Sequence, residues 1–192
     1  MTPMRDADIR GPALRDAHSK AGSYLAWRFL ADLIGLEEVT IRHVQGNNTI
    51  GHRLRGEEKT LIVALMRGGE SMAFGINEVF PKAQFLHAKE PNDIKRHHLE
   101  DNVTVILVDS VINNGNTVVK FVESIRAIHA MIRIFVVAGV VQDKAVSGCG
   151  PLKALARTAE ITVVALRLSK NKYTGSGGTD TGNRLFNTAY LP

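Results

Sequence analysis

Cysteine is almost absent from this chain, since Cys149 is the only one among its 192 residues. A single cysteine excludes an internal disulfide and the paired thiolates of structural zinc sites. No apolar run approaches the roughly 20 residues that cross a bilayer, and there is no signal-peptide pattern. We therefore expect a cytoplasmic protein, with the nucleus as the alternative, and no membrane partner.

Aromatic residues are also sparse, at 6% of the chain, and the 24 basic residues are scattered along it. The formal net charge of +5 is compatible with an anionic partner. A nucleic-acid surface, however, needs a basic stripe or a platform of stacking aromatics, and neither is present. We therefore expect no nucleic-acid partner. Walker loops, HExxH helices and Ser/His/Asp sets are absent too.

The most informative segment that is present runs from Val105 to Val119. Its apolar beginning, Val105–Val108, predicts a buried strand that ends at Asp109. A small polar loop, Asn113–Thr117, comes next. Apolar side chains then recur at helical spacing at Val118, Phe121, Val122, Ile125 and Ile128. The pattern is that of a strand, a loop and a helix.

A strand, a small-residue loop and a helix N-terminus together form a phosphate cradle, because backbone N–H groups converge there and the helix dipole favours an anion. The candidate phosphate ligands are Asn113, Asn114, Gly115, Asn116 and Thr117. Asp109 would accept hydrogen bonds from the hydroxyls of the attached sugar. The alternative is a β-hairpin, because Asn-Gly between apolar runs is a strong hairpin signal. The helical period after Gly115 favours the cradle.

Predicted strands and helices alternate along the rest of the chain. Strands are predicted over Val39–Val44, Thr60–Met66, Gln84–His87, Val103–Val108, Arg133–Val141 and Ile161–Leu168. Helices are predicted over Arg15–Leu33 and Glu70–Phe80, from the polar loop to about Ala130, and around Ala154, with a turn or hairpin over Gln45–Glu58. This alternation predicts an α/β fold with a parallel sheet. We expect one domain over residues 15–192, preceded by an irregular arm over residues 1–14.

Ligands of such sheets bind beyond the carboxyl ends of the strands, and two more glycine-containing segments fall there. Arg67, Gly68 and Gly69 follow a buried strand. The glycines allow close approach of a ligand, and the planar guanidinium suits phosphate. An ordinary turn with a solvated arginine is the alternative.

The second segment, Tyr173–Thr188, is rich in glycine, and no clear helix is expected after its glycines. Bulky side chains bracket the glycines and would anchor the segment: Tyr173, Leu185, Phe186 and Tyr190. A glycine-rich loop anchored at both ends exposes backbone N–H and C=O groups to a flat polar base. A flexible surface tail is the alternative.

Four segments taken together resemble the uracil phosphoribosyltransferases, which have the type I phosphoribosyltransferase fold. Ile106–Val119 resembles the loop that binds phosphoribosyl diphosphate (PRPP), Arg67–Met72 the diphosphate-binding segment, and Gly51–Leu54 the preceding hairpin. The tail is similar to the uracil-binding stretch without a gap. The positions that agree there are Tyr173, Gly177, Asp180, Gly182 and Arg184.

The resemblance implies a three-layer parallel-sheet fold with a Gly-rich C-terminal base-binding loop. It implies a pyrimidine-salvage reaction, transfer of ribose 5-phosphate from PRPP to N1 of uracil, which yields UMP and diphosphate. Arg67 and Asp109 are the implied catalytic residues. The implied PRPP ligands are Arg67, Gly68, Gly69, Asp109, Asn113, Asn114, Gly115, Asn116, Thr117 and Asp180. The implied uracil ligands are Tyr173, Thr174, Gly177, Thr179 and Asp180. Mg²⁺ is the implied cofactor, held by the diphosphate with Asp180 contacting it through water, and a homodimer is implied.

The chain also departs from the family pattern. In the tail, Ser176, Gly178, Thr179 and Asn183 replace the usual residues, and Asn113-Asn114 stands where Ala/Ser-Thr is usual. The family has a long charged hairpin that covers the reaction. Here Leu86–Ile94 connects the two flanking elements almost directly, so that this hairpin is missing. The departures leave two alternatives open. One is a catalytically degenerate nucleotide-binding domain, regulatory or structural, of a larger pyrimidine-salvage protein, and the other is an enzyme for a different base.

Overall fold

A five-stranded parallel sheet forms the centre of the computed structural model, which describes residues 1–188. In chain order its strands are β3 (Thr60–Leu65), β4 (Gln84–Ala88), β5 (Thr104–Ile112), β6 (Arg133–Gln142) and β7 (Ile161–Ser169). Their order across the sheet is β4-β3-β5-β6-β7. Before them, β1 (Leu36–Arg42) and β2 (Asn48–Leu54) form a separate antiparallel ribbon. The predicted parallel α/β fold and the predicted hairpin excursion are confirmed.

Helices cover both faces of the sheet. They are α1 (Thr2–Arg5), α2 (Gly11–Leu25), α3 (Ala31–Ile34), α4 (Glu70–Val79), α5 (Asn116–Ile128), α6 (Asp143–Val146), α7 (Pro151–Thr158) and α8 (Thr181–Phe186). A π-helical turn, Ala26–Leu30, joins α2 to α3. Gly35, with φ of 95°, then ends this long helical run, as glycine commonly does.

The sheet separates two hydrophobic cores because successive strand residues point to opposite faces. From β3, Leu61, Val63 and Leu65 enter the core shared with α5 and α7. Ile62 and Ala64 enter the core shared with α2 and α4. All six residues of β3 are buried, as expected for a strand covered on both faces. The implied three-layer architecture is therefore confirmed.

Helices α2 and α4 approach each other closely through two glycines. A Cβ on Gly22 would lie 2.0 Å from the carbonyl oxygen of Met72, and a Cβ on Gly75 would lie 1.9 Å from that of Ser19. No larger residue fits at either position without separating the helices. This contact fixes α4, and with it the turn that carries Arg67 at the end of β3.

The sequence prediction was wrong at both ends of the domain. Residues 1–14 are not an irregular arm, since α1 occupies Thr2–Arg5 and α2 begins at Gly11 rather than at Arg15. The tail does contain a helix after its glycines, α8, and Tyr190 of that tail lies outside the described residues. Helix α8 could not be predicted from the sequence, because it begins with threonine and glycine, which both have low helix propensity.

The central strand is also longer than predicted. β5 continues to Ile112, so that Asp109 lies within it and pairs in register with Ala138 of β6. An aspartate between apolar residues resembles a strand end in sequence. The hairpin alternative at Asn114-Gly115 is overturned, because α5 begins at Asn116.

Candidate active site

A cleft of about 380 Å³ opens at the carboxyl edge of the sheet. β3 and β5 are neighbours there, so the residues that follow β3 lie beside the last residues of β5. The tail closes the opposite wall. Six of the residues predicted from the sequence line the cleft: Arg67, Gly68, Asp109, Asn113, Tyr173 and Asp180. The cleft therefore brings together all three segments that the sequence indicated.

Arg67 is tied to the tail by several contacts. Its Nη1 donates a hydrogen bond to Oγ1 of Thr188 at 3.0 Å, and its Nη2 donates to Oδ1 of Asn183 at 2.7 Å. The carboxylate of Asp180 lies 3.7 Å from Nη2. The Arg67 side chain is 44% exposed, so this ion pair is worth little stability on its own. The contacts instead aim a cation into the cleft.

Asp109 lies on the floor of the cleft, and its environment alters its ionisation. Burial raises the pKa of Asp109 to about 7, although its hydrogen bonds with the backbone N–H groups of Val111 and Ser110 act in the opposite direction. A Cβ on Gly68 would lie 3.1 Å from the Oδ1 atom of Asp109. The glycine therefore lets the turn after β3 lie directly against this carboxyl group.

The predicted phosphate loop has a glycine in the left-handed region at its end. Gly115 has φ of 80° and immediately precedes α5, and a Cβ there would lie 3.0 Å from Leu152. The N–H of Asn116 donates to Oδ1 of Asn114 at 3.1 Å. Asn116 and Thr117 are exposed in the first turn of α5. The loop therefore presents a helix N-terminus next to the cleft.

The glycine-rich tail folds back on itself and onto the phosphate loop. Nδ2 of Asn113 donates to the carbonyl oxygen of Tyr173 at 2.9 Å, and the Tyr173 N–H donates to Oδ1 of Asn113 at 2.8 Å. The Tyr173 hydroxyl donates to the carbonyl oxygen of Thr179. Asp180 caps α8 by accepting from the N–H of Asn183 at 2.9 Å. The tail is thus not free, and Asn113 connects the two predicted binding loops.

The other predicted ligands lie outside the walls of this cleft. They are Gly69, Asn114, Gly115, Asn116, Thr117, Thr174, Gly177 and Thr179. Gly69 has a packing role, because a Cβ there would lie 1.9 Å from the carbonyl oxygen of Val108. Gly177 accepts a hydrogen bond from Nδ2 of Asn183 at 3.0 Å, so this amide serves both Arg67 and the tail.

Sequence reasoning missed two groups on the cleft side of the sheet. Ser110 lines the cleft, and its hydroxyl is hydrogen-bonded to Nε2 of His18 at 2.9 Å. Both side chains are almost fully buried. Nothing in the sequence connects a serine in a strand with a histidine more than ninety residues earlier. Thr188 was noted only as the end of a family motif.

The described residues provide two further findings. Residues 1–188 hold no group of three or more His, Cys, Asp or Glu side chains placed to bind a metal ion. None of the helices described there has the length and apolar character needed to cross a membrane.

Two solved structures of known proteins are similar to this chain. The AQ2163 protein from Aquifex aeolicus superposes with a TM-score of 0.72 at 19% sequence identity, over 96% of this chain and 91% of that one. The xanthine-guanine-hypoxanthine phosphoribosyltransferase of Helicobacter pylori superposes with a TM-score of 0.45 at 13% identity, over 67% and 73% of the two chains. Identities this low concern the fold alone.

The parallel sheet, its strand-end cleft and the loops that line it define a phosphoribosyltransferase of the type I fold. The family can be given more narrowly. Residues 1–188 match the model of the uracil phosphoribosyltransferase family, and the chain belongs to that family.

The ionisation of Asp109 leads to a prediction about stability. Its folded-state pKa of about 7 lies above the usual 3.8, so the free energy of unfolding decreases as pH rises from about 4 to 7 and is then constant. Asp109→Asn removes this loss. The difference in the free energy of unfolding between the variant and wild type should therefore be about 2 to 3 kcal/mol more favourable to the variant at pH 8 than at pH 5. Urea unfolding at both pH values measures the gain, and an equal difference at the two would contradict the assignment.

Proposed function

We propose that the protein transfers the 5-phosphoribosyl group of PRPP to a pyrimidine base of the uracil class, with release of diphosphate. Uracil and UMP are the acceptor and product expected for the family. The bond between C1 of the ribose and the diphosphate oxygen breaks, a bond from C1 to N1 of the base forms, and the N1 proton is released to solvent or to the departing diphosphate. The sugar gains cationic character between these events. An enzyme for this reaction must hold an anionic leaving group and align a weak nucleophile.

The observation that carries the proposal is the position of Arg67 and Asp109 in one cleft, below the tail. Arg67 offers a fixed guanidinium to the departing diphosphate. Asp109 offers oxygen atoms to the ribose hydroxyls from the floor. The helix N-terminus after Gly115 offers N–H groups to the 5′-phosphate. The tail around Tyr173 covers the position that the base must occupy.

The residues present also fit Mg²⁺ as the expected cofactor. Mg²⁺ prefers oxygen ligands, keeps several waters and commonly binds through phosphates and one or two carboxylates. Asp109 and Asp180 both line the cleft and supply such oxygens. When bound to the diphosphate, the ion would neutralise part of the charge that leaves with it. The carboxylate of Asp180 lies 3.7 Å from Arg67. It would therefore keep the Mg²⁺ ion and the Arg67 guanidinium close to the same diphosphate.

The proposal predicts that PRPP binds at the loop before α5. Gly115→Val should abolish PRPP binding, because valine disfavours φ of 80° and its side chain would press against Leu152. Gly46→Val is the matched control, since Gly46 also has positive φ, 91°, but has no atom within 4 Å of an added Cβ. Calorimetry with PRPP and Mg²⁺ measures both variants. Wild-type affinity in Gly115→Val would show that the loop does not hold the phosphate.

Turnover should nevertheless be slow. β4 ends at Ala88 and a 3₁₀ turn, Pro91–Asp93, follows it directly, so residues 84–104 contain no hairpin that could cover the reaction. Losing a cover that excludes water and orients the diphosphate costs about 10²-fold or more through misplacement. We expect UMP formation well below about 1 s⁻¹ in an assay with PRPP, Mg²⁺ and uracil. A rate at or above that value would assign the role of cover to another segment, such as the β1–β2 ribbon.

We also propose a homodimer, formed through the exposed apolar side chains of the first helical run. Tyr24, Trp27 and Leu33 are 53%, 69% and 44% exposed. Covering the part of each side chain that is still exposed is favourable by about 1 to 2 kcal/mol. Trp27→Glu should therefore convert a dimer into a monomer in light scattering at micromolar concentration. Met131→Glu is the control, because Met131 is 82% exposed but lies elsewhere. A monomeric wild type would contradict the proposal.

A further inference from the structure

A second cavity, of about 300 Å³, lies directly beside the cleft. We call it the inner pocket. The two cavities share one wall, formed by Ser110, Val111, Asn113, Tyr173 and Thr181. The inner pocket reaches from this wall towards the ends of β6 and β7, below α1 and the tail. A ligand in it would touch the cleft where the sugar must lie.

The lining of the inner pocket is apolar and cationic. Met4, Ile112 and Val140 provide apolar surface that suits a flat ring. The charged side chains that line it are Arg5, Arg167, Lys172 and Arg184. No aspartate or glutamate lines it. The inner pocket thus gathers four cationic side chains with no carboxylate among them.

The positive charges of the inner pocket are not neutralised elsewhere in the described part of the chain. Within residues 1–188, no ion pair involves Arg5, Arg167 or Lys172. An arginine or lysine that lines a concave site without a partner favours an anion there. A neutral base would leave these charges uncompensated.

Arg184 is a buried hydrogen-bond donor in the wall of the inner pocket, and backbone carbonyl groups hold it in place. This side chain is only 8% exposed, and its Nη atoms donate to backbone carbonyl oxygens of residues 4–9. Its Nε–H is buried and has no acceptor in the described residues, and the Nε–H of Arg167 is in the same condition. A buried donor without an acceptor is costly, so both arginine side chains would gain from a ligand acceptor that comes within reach.

The neutral polar groups at the shared wall match the edge of a heterocycle. Nδ1 of His18 lies 2.8 Å from the Leu14 carbonyl oxygen, which can only accept, so Nδ1 carries the proton. Burial lowers the pKa of His18, which favours the neutral imidazole, so Nε2 is the acceptor and the Ser110 hydroxyl donates to it. Because its proton is used in this way, Ser110 is left with lone pairs that can accept from a ring N–H. A pyrimidine offers such an N–H beside its carbonyl groups.

We propose that the inner pocket binds the acceptor base, and that its arginine and lysine side chains select a pyrimidine carrying a carboxylate. The apolar walls hold the ring, Ser110 accepts from its N–H, and the cations bind the acidic substituent. The inference rests on the proposed function for the sugar's position in the cleft. It narrows the acceptor from the uracil class in general to its acidic members.

Orotate and uracil differ by one carboxylate, which makes them the probes. Calorimetry of the full chain with each free base should show orotate binding at least about tenfold more tightly. Arg167→Gln should remove that preference and leave uracil affinity within about twofold. Arg157→Gln, at an exposed position of α7, is the control and should change neither affinity. Arg5→Gln repeats the test should Arg167→Gln lower the melting temperature.

PRPP binding measured on the same samples separates the two claims. PRPP that binds, with orotate no tighter than uracil or unaffected by Arg167→Gln and Arg5→Gln, overturns the selection of an acidic base and leaves the proposed function standing. If orotate binds and depends on these arginines but PRPP does not bind, the proposed function is overturned and the selection of an acidic ligand stands. Inorganic phosphate that displaces orotate at equal affinity would show a general anion site, which also overturns the inference.

Discussion

The parallel pairing of β3 with β5 is the constraint on which the whole site depends. Ala64 pairs with Val108, so the turn that carries Arg67 comes out beside Asp109 and Ser110. The two glycines of that turn make the approach possible, because any side chain at Gly69 would strike the backbone of β5. Close packing of α2 on α4 holds the turn from behind. The backbone brings Arg67 and Asp109 to the same edge of the sheet, and hydrogen bonds to Thr188 and Asn183 of the tail then orient the guanidinium.

Much of this arrangement could be predicted from local sequence, and the remainder could not, for physical reasons. Buried parallel strands are continuous apolar runs, so Thr60–Leu65 and the start of β5 were visible. The extension of β5 past Asp109 was not, because pairing with β6 overrides the polar residue. Helix α8 was hidden for a related reason, since its cap, Asp180, and its tertiary contacts outweigh weak helix propensity. The inner pocket could not be predicted from local sequence, because its residues come from the N-terminus, α2, the ends of β5, β6 and β7, and the tail.

Asn183 shows how one departure from the family pattern can be accommodated. Its Oδ1 accepts from Arg67 while its Nδ2 donates to the carbonyl oxygen of Gly177. A carboxylate at this position could make only the first of these contacts. It would also bring a second negative charge to Arg67 beside Asp180, which lies 3.7 Å away. The amide therefore closes the tail and leaves more of the charge on Arg67 available to an incoming anion.

The charges of the two cavities complement one another. Near neutral pH the floor carboxyl group is only partly ionised, because burial raises the pKa of Asp109 to about 7. Without ligand, the edge of the sheet is then dominated by arginine and lysine, and the field there attracts polyanions. Hydroxyl donors and a developing cationic sugar would favour the ionised form of Asp109 once the donor is bound. The ionised Asp109 would then lie on the floor of the cleft, close to the carbon that gains positive charge in the proposed reaction. The surrounding cations would bind the two anionic groups, which are the departing diphosphate and the carboxylate of the incoming base.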